Sequence, residues 1–285
     1  MTGYPRRSTF LATWREHWPE YLSEALGLGL FMISATAFAV LLFHPASPLP
    51  HLLPSMMLRG SLMGLAMGLT ALGNIHSPWG RRSGAHLNPS VTLTFVRLGK
   101  VSVTDAAGYV AAQFVGAAAG MGIGVAIFHR FVSDPSVNFV ATLPGMAGRL
   151  AAFGAETAIS FLLMLAVLVV SGTARTARHT GIVAATLVAI YIALETPISG
   201  MSMNPARTLG SALYAGKYTA LWLYFIAPPF GMLLAAECWR GIGTLSRSAC
   251  AKLDHDARYR CIFCGHEPMT ALREESREPR ELVRH

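Results

Sequence analysis

The stretch MSMNPARTL, residues 201–209, lies in one of the most apolar regions of this chain and decides how the chain folds. It places Asn204, Pro205 and Arg207 where a helix crossing a lipid bilayer would carry leucines. Asparagine is a strong helix N-cap, and proline is favoured at the first helical position. The stretch therefore predicts a helix that begins inside the apolar region and covers about residues 204–214.

An earlier stretch repeats this pattern. HLNPSVTLTFVRLGK (86–100) and SMNPARTLGSALYAGK (202–217) both read x-x-N-P-x-x-T-L, followed by an apolar run and Gly-Lys. Asn88 is therefore expected to start a second short helix, over about residues 88–98. A helix of about 11 residues is about 16 Å long, which is half of a bilayer core of about 30 Å. Both are predicted to be re-entrant half-helices, buried in protein or lining a cavity.

The composition places the chain in a membrane. Of its 285 residues, 53% are hydrophobic and only 13% are charged, whereas soluble domains carry about 25% charged residues. Each of six nearly uncharged runs has about 18 residues or more, enough to cross a bilayer as a helix. The runs cover 25–43, 55–74, 106–128, 151–171, 181–201 and 218–236.

The two halves of the chain resemble each other. YLSEALGLGLFMIS (21–34) and FGAETAISFLLMLA (153–166) each place a glutamate, Glu24 or Glu156, at the head of an apolar run. Repeat 1 covers about 21–131 and repeat 2 about 150–240. Because each half has three spans, the second half enters from the opposite side, as in transport folds. The predicted fold is an all-α membrane protein with six transmembrane helices and two re-entrant half-helices in an inverted 3+3 repeat.

The formal net charge of +8 follows the predicted topology and does not indicate nucleic-acid binding. The basic residues concentrate at both ends, after the second span and between the fourth and fifth spans. The positive-inside rule places these segments, and both termini, in the cytoplasm. The expected organisation is a lead (1–20), a channel domain (21–240) and a tail (241–285). No targeting segment is visible, and the short loops favour the inner membrane of a bacterium.

Inversion brings the N-termini of the two half-helices face to face at the midplane. Each N-terminus carries about half a positive charge, so two aimed at one point repel cations. Arg207, in the first turn of the second half-helix, adds a full charge, which in a membrane usually faces a water-filled path. The asparagine amides of Asn88 and Asn204 can donate hydrogen bonds to a molecule between them. The pattern indicates a pore that excludes cations.

SGAHLNPSVTL and SGMSMNPARTLGSAL, together with Glu24 and Glu156, resemble the aquaporin (major intrinsic protein) family over about residues 20–240. The resemblance implies a passive channel for water or small neutral solutes, in the lipid bilayer and usually as a homotetramer. It implies that Glu24 and Glu156 accept bonds from the loops behind the half-helices. The motifs would be Asn88-Pro89-Ser90 and Asn204-Pro205-Ala206, of which the first departs from the family's Asn-Pro-Ala at Ser90.

The resemblance also implies a selectivity filter of four residues. Arg207 is one, and spacing from Asn204 gives Met201 and Ile192. The second-span residue is expected to be Met63, with Gly64 or Met67 as alternatives because the loop before Asn88 is long. This filter is more apolar than that of a water-strict channel. We therefore expect moderate passage of water and passage of small uncharged solutes, unless the methionines only pack between helices.

The four cysteines of the chain lie at or after the last span, on the predicted cytoplasmic side, where structural disulfides are rare. The stretch RCIFCGHEP (260–268) contains Cys261 and Cys264, with Cys250 and His255 upstream. These four residues could hold a structural zinc ion. A redox-active cysteine pair and free thiols in a cytoplasmic extension are the alternatives. No cofactor is otherwise expected.

Two other function classes compete with a passive channel. A proton-coupled transporter would use Glu24 and Glu156 as proton carriers, since carboxylates inside membranes often serve that role. A membrane sensor or structural protein would have a vestigial pore and a metal-binding tail. The chain shows no nucleophile and base pair and no phosphate-binding loop, so an enzyme is not expected.

Overall fold

The computed structural model describes residues 10–173, 175–241 and 250–268, and these residues are mostly helical. Six helices are long and apolar enough to cross a membrane, as predicted. Two shorter helices start at the Asn-Pro motifs. In chain order these eight helices are α1 (Phe10–Phe43), α2 (Met56–His76), α3 (Pro89–Arg97), α4 (Val103–Phe128), α5 (Gly148–Ser171), α6 (Thr180–Ser199), α7 (Pro205–Ala215) and α8 (Leu221–Gly241).

The half-helices α3 and α7 begin where the Asn-Pro motifs predicted. The Asn88 side chain accepts a hydrogen bond from the backbone N–H of Ser90 at 2.9 Å. The Asn204 side chain accepts from the backbone N–H groups of Ala206 and Arg207, at 3.0 and 3.2 Å. These caps satisfy N–H groups that the first turn of a helix otherwise leaves unpaired. Each motif therefore defines the N-terminal start of its half-helix without contacts from elsewhere in the chain.

The first helix begins earlier than the sequence indicated. The lead and the first span were predicted as separate segments, but α1 runs without interruption from Phe10 and contains Pro19. Its polar N-terminal part has partners elsewhere in the molecule: the His17 ring lies 2.6 Å from Asp105 of α4, and Arg82 pairs with Glu20 at 3.3 Å. These contacts extend α1 beyond its apolar run. The remainder of the predicted lead lies outside the described residues.

Small residues bring the helix backbones of each half into contact. In the first half, a Cβ on Gly120 of α4 would lie 2.3 Å from the backbone oxygen of Gly29 of α1. In the second half, a Cβ on Gly231 of α8 would lie 2.3 Å from the backbone oxygen of Thr157 of α5. Close backbone approach at small residues is the usual packing mode of membrane helices. The same packing mode joins the first and last spans of each half.

Large apolar side chains cover the outward faces of the helices. Leu65 and Leu69 of α2, Val115 of α4 and Leu162 of α5 are each about half or more exposed. In water such a surface would be an aggregation hazard, whereas in a bilayer it contacts lipid or another protein. The protein is therefore a multi-pass integral membrane protein.

Candidate functional site

A cavity of about 780 Å³ runs between the two halves of the bundle. It is lined by α1, α2, α5, α6 and the two re-entrant loops that precede α3 and α7. The structure brings six of the predicted site residues to its wall, namely Met63, Asn88, Ile192, Met201, Asn204 and Arg207. The other four residues of the two motifs are buried, namely Pro89, Ser90, Pro205 and Ala206.

The two motif asparagines connect the halves. The side-chain nitrogen of Asn88 donates to the backbone oxygen of Met203 at 2.7 Å. Asn204 donates to the backbone oxygen of Leu87, also at 2.7 Å. Each bond joins one Asn-Pro motif to the loop before the other, so the two re-entrant loops hold each other in place. An amide nitrogen carries two N–H donors, so each asparagine has a second donor to offer a molecule in the cavity.

Glu24 of α1 organises the first re-entrant loop. One carboxylate oxygen accepts from the Ser83 hydroxyl at 2.7 Å and the backbone N–H of His86 at 3.0 Å. The other accepts from the backbone N–H of Leu87 at 2.6 Å and the Gln113 side chain at 2.8 Å. The carboxylate is completely buried. Its four donors fix both the loop and α4 relative to α1.

Glu156 of α5 has the same relationship to the second re-entrant loop. One oxygen accepts from the Ser199 hydroxyl and the backbone N–H of Ser202, both at 2.7 Å. The other accepts from the backbone N–H of Met203 at 2.7 Å. These three donors match the Ser83, His86 and Leu87 donors of Glu24, and Gln113 is the one donor to Glu24 that has no counterpart among those described for Glu156. The inverted repeat seen in the sequence therefore extends to individual hydrogen bonds.

The loops that these glutamates hold have an unusual backbone. Ala85 and Leu87 in the first loop have φ of 55° and 48°, and Met201 and Met203 in the second have φ of 45° and 54°. Left-handed backbone costs non-glycine residues about 1–3 kcal/mol each and persists only when the surroundings impose it. In both loops the left-handed residues alternate with residues of ordinary φ. The buried glutamates and the crossing asparagine bonds supply that constraint.

Arg207 follows the second motif and reaches the loop before α5. Its guanidinium donates to the hydroxyl of Thr142, which is buried in that loop. Arg207 also lines the cavity, so its remaining N–H groups face the path. No sequence pattern identified Thr142, because the residue lies in a loop without a motif, and only the tertiary fold brings it to the arginine.

The remaining wall near Arg207 is apolar. Met63 of α2, Ile192 of α6 and Met201 of the second loop line the cavity, and so does Met67. Gly64, the third candidate for the second-span position, is not among the residues that line the cavity. A Cβ on Gly64 would lie 2.3 Å from the backbone oxygen of Ala189 in α6, so it packs between helices. Gly64 therefore lies at the contact between α2 and α6, whereas Met63 and Met67 line the cavity.

The tail brings its four predicted ligand residues together. The ligand atoms of Cys250, His255, Cys261 and Cys264 all lie within 4.8 Å of one another. The hydrogen bond with the Cys250 thiol lowers the pKa of the Cys261 thiol, and the same contact raises the pKa of Cys250. Leu253, from the same segment, lines one end of the cavity. No sequence pattern had assigned Leu253 to the site.

Comparisons with known proteins agree with this geometry. Residues 11–239 match the model of the major intrinsic protein family. The chain is 31% identical over 235 residues to "Glycerol uptake facilitator protein-like 6" of Lactiplantibacillus plantarum, covering 79% of this chain and 98% of that protein. It is 33% identical over 199 residues to "Probable aquaporin NIP7-1" of Arabidopsis thaliana, covering 68% of this chain and 70% of that protein.

A solved structure has the same fold. The aquaglyceroporin from Plasmodium falciparum superposes with a TM-score of 0.63 and 22% sequence identity, covering 78% of this chain and 95% of that one. At this identity the likeness concerns the fold, including the arrangement of six spans around two half-helices.

Proposed function

Since this chain belongs to the major intrinsic protein family and forms a channel for water or small solutes, we propose that it conducts passively and excludes protons and ions. The observation that carries the proposal is the meeting of Asn88 and Asn204 in the cavity wall, each at the N-terminus of a half-helix. The family's members are channels and not enzymes, and the site has the parts of a conduction path.

Exclusion of cations and protons follows from the charges around the path. Both half-helices direct their N-terminal ends, each about half a positive charge, at the region of Asn88 and Asn204. Arg207 adds a full positive charge farther along the cavity. A cation entering the path loses water and meets only positive potential, which raises its free energy at each step. A neutral molecule does not meet this barrier.

Proton hopping along a water chain is opposed by the asparagines. Each asparagine offers the lumen an N–H donor, because its oxygen already accepts from the first turn of its own half-helix. A water molecule between two donors must point its own hydrogens away from both. The water molecules on the two sides of the asparagines therefore have opposite orientations. Proton hopping requires a chain of uniformly oriented water molecules, so it is interrupted at the asparagines.

The chemistry of the filter favours small amphipathic solutes in addition to water. Arg207, which is held by the Thr142 hydroxyl, supplies a polar group on one side, while Met63, Ile192 and Met201 supply an apolar surface. A polyol such as glycerol has hydroxyl groups along one edge and C–H groups along the other, which matches this division. A relative's name also refers to glycerol uptake. Water passes, but without a second fixed donor at the position of Ile192.

The carboxylates inside the bundle do not favour the proton-coupled alternative. Glu24 and Glu156 accept hydrogen bonds from the backbones of the re-entrant loops. Protonating either group would weaken the acceptor that holds left-handed backbone in place. Their role is therefore to position the loops. We place both termini in the cytoplasm by the positive-inside rule and expect a homotetramer in the cell membrane, as the family resemblance implies.

Stopped-flow light scattering on proteoliposomes tests the proposal. Vesicles containing the protein should shrink faster than empty vesicles in an impermeant osmolyte, and should re-swell faster in glycerol. The Arg207→Ala variant should retain neutral-solute flux and become leaky to protons. Fluxes of water and glycerol equal to those of empty vesicles would overturn the proposal.

A further inference from the structure

Residues 250–268 form a compact segment on the side of the channel that carries the loop before α3. The distance between the sulfur atoms of Cys250 and Cys261 is 3.2 Å, and His255 Nε2 lies 3.2 Å from the sulfur of Cys264. Four ligand atoms placed tetrahedrally at about 2.0–2.3 Å from a zinc ion lie about 3.3–3.8 Å from one another. The observed cluster has nearly these dimensions.

We propose that Cys250, His255, Cys261 and Cys264 bind one Zn²⁺ ion in a closed structural site. Three sulfurs and one imidazole nitrogen are a ligand set typical of structural zinc, and four protein ligands leave no position for a substrate. Cys250 and Cys261 are buried, whereas His255 and Cys264 are exposed, so an ion has a path into the site.

The surroundings of the cluster fit a negatively charged metal centre. The backbone N–H groups of Lys252, beside Cys250, and of Phe263 and Cys264, beside Cys261, lower the pKa of these two thiols. Such donors stabilise thiolates, which are the metal-binding form of cysteine. Three thiolates and Zn²⁺ together carry one negative charge. The ammonium of Lys252, which is 4% exposed and next to the cluster, balances that charge.

The folded conformation of residues 250–268 also requires a source of stability. Between 250 and 268 the structure has no helix, and its β structure is a single bridge between Cys261 and His266. Its buried apolar side chains are few, chiefly Ala251 and Leu253. A unit of this size cannot bury enough apolar surface to offset its conformational entropy, and metals commonly supply the missing stability.

Metal analysis of the purified full-length protein tests the site. We expect one zinc ion per chain, and after exchange with Co²⁺ we expect the intense visible absorption of tetrahedral thiolate-bound cobalt. Cys261→Ser and Cys264→Ser should each lower zinc affinity by more than about 100-fold, because losing a ligand costs more than losing a supporting contact. A chain without zinc that takes up no cobalt, or that has a disulfide between Cys250 and Cys261 under cytosolic redox conditions, would overturn the site.

Two matched controls make the result specific. Cys238, at the end of α8, is an exposed cysteine outside the cluster, so Cys238→Ser should retain full zinc content. His266 lies next to His255, with ring centroids 5.7 Å apart, but its Nε2 contacts the backbone oxygen of Ala257. His255→Ala should therefore weaken zinc binding and His266→Ala should not. The reverse result for the two histidines would contradict the assigned ligand set.

The zinc-binding segment is docked on the loop that precedes the first half-helix. His86 Nε2 lies 2.9 Å from the backbone oxygen of Ala251, and the His86 ring stacks on Phe263 with centroids 5.5 Å apart. Lys252 donates to the backbone oxygen of Arg81 at 2.8 Å, and Arg81 pairs with Asp254 at 2.8 Å. These contacts tie the segment to the loop whose backbone lines the cavity.

The position of Leu253 carries a second inference, which rests on the proposed function and, for the effect of metal release, on the zinc site. The backbone N–H of Leu253 donates to Gly84 at 3.1 Å, and its side chain, 8% exposed, forms part of the cavity wall. It packs in the same cluster as Ile75, Ala85 and Phe95. We infer that the metal-held segment is a lid that narrows this mouth of the channel. Release of the metal or removal of the Leu253 side chain should therefore raise permeability.

Flux through Leu253→Ala separates the lid from the channel itself. Water and glycerol permeability should increase severalfold over wild type with zinc content unchanged, and Cys261→Ser should raise permeability in the same way. Equal permeability of wild type and both variants, above that of empty vesicles, would overturn the lid while leaving the channel intact. Permeability of all three equal to empty vesicles would instead count against the proposed function.

Discussion

The side-chain nitrogen of Asn88 lies 2.7 Å from the backbone oxygen of Met203, so each Asn-Pro motif is bound to the loop of the opposite repeat. This relationship makes the two asparagines both helix caps and bridges. Capping is a property of each motif alone, whereas bridging needs both halves. Substitutions can therefore separate the two roles.

Asn88→Asp tests the bridge. Aspartate keeps an oxygen that caps α3, but it replaces the donor to Met203 with a charged acceptor facing a carbonyl oxygen. We expect neutral-solute flux to fall at least about tenfold, with a smaller loss of stability than in Asn88→Ala, where the cap is also lost at about 0.5–2 kcal/mol. Stopped-flow flux and thermal unfolding in detergent measure the two effects. Unchanged flux in Asn88→Asp would contradict the bridging role.

Glu156→Gln tests the support of the second re-entrant loop. The amide presents one oxygen instead of two, so a backbone N–H of Ser202 or Met203 is left without an acceptor, at a cost of about 1–3 kcal/mol. The apparent melting temperature in detergent should fall clearly. Glu237→Gln is the control, because Glu237 is 47% exposed and surface changes cost within about 0.5 kcal/mol. Equal melting temperatures for both variants would count against the assigned role.

Ile192→His tests the filter position in α6. Histidine would add a hydrogen-bonding group to the filter, and its ring would fill space that glycerol needs and water does not. The ratio of water to glycerol permeability should rise about tenfold, within the range by which pockets discriminate between small molecules. Ile192→Val, which keeps the apolar surface, should leave the ratio nearly unchanged. If both variants behave like wild type in stopped-flow assays, Ile192 does not form part of the filter.

Met63→Ala tests the second-span position. Met63 lines the cavity, so its truncation should widen the path and raise glycerol flux severalfold. Leu65 is two positions away on the same helix but is 54% exposed on the outer face, so Leu65→Ala should not change the flux. An increase in Leu65→Ala with none in Met63→Ala would contradict the assignment of Met63 to the conduction path.

The features that the sequence predicted well are those with local causes. Half-helices predicted over 88–98 and 204–214 are found at Pro89–Arg97 and Pro205–Ala215, because an Asn-Pro cap defines a helix start without tertiary help. The six spans were predicted because a bilayer requires long apolar runs. The start of the first helix was missed, since partners such as Asp105, far along the chain, stabilise its polar end.

The site was only partly predictable for the same reason. The family resemblance implied Ile192 and Met201 by their distance in sequence from Asn204, and the structure places both residues in the cavity wall. Thr142 contacts Arg207, and Leu253 lines the cavity; both come from segments without a motif, so only the folded chain brings them there. Gly64 was offered as a filter residue because the loop before Asn88 left the register of α2 open. The structure resolves that register through the contact of Gly64 with Ala189.

The most direct test of passive conduction is glycerol flux and proton flux measured together in one preparation of proteoliposomes. A pH-sensitive dye inside the vesicles reports protons, and light scattering reports glycerol, with and without an imposed pH gradient. Passive conduction predicts rapid glycerol equilibration that is the same in either condition, with no proton entry above that of empty vesicles. Glycerol accumulation above its external concentration, driven by the pH gradient and accompanied by proton entry, would contradict it.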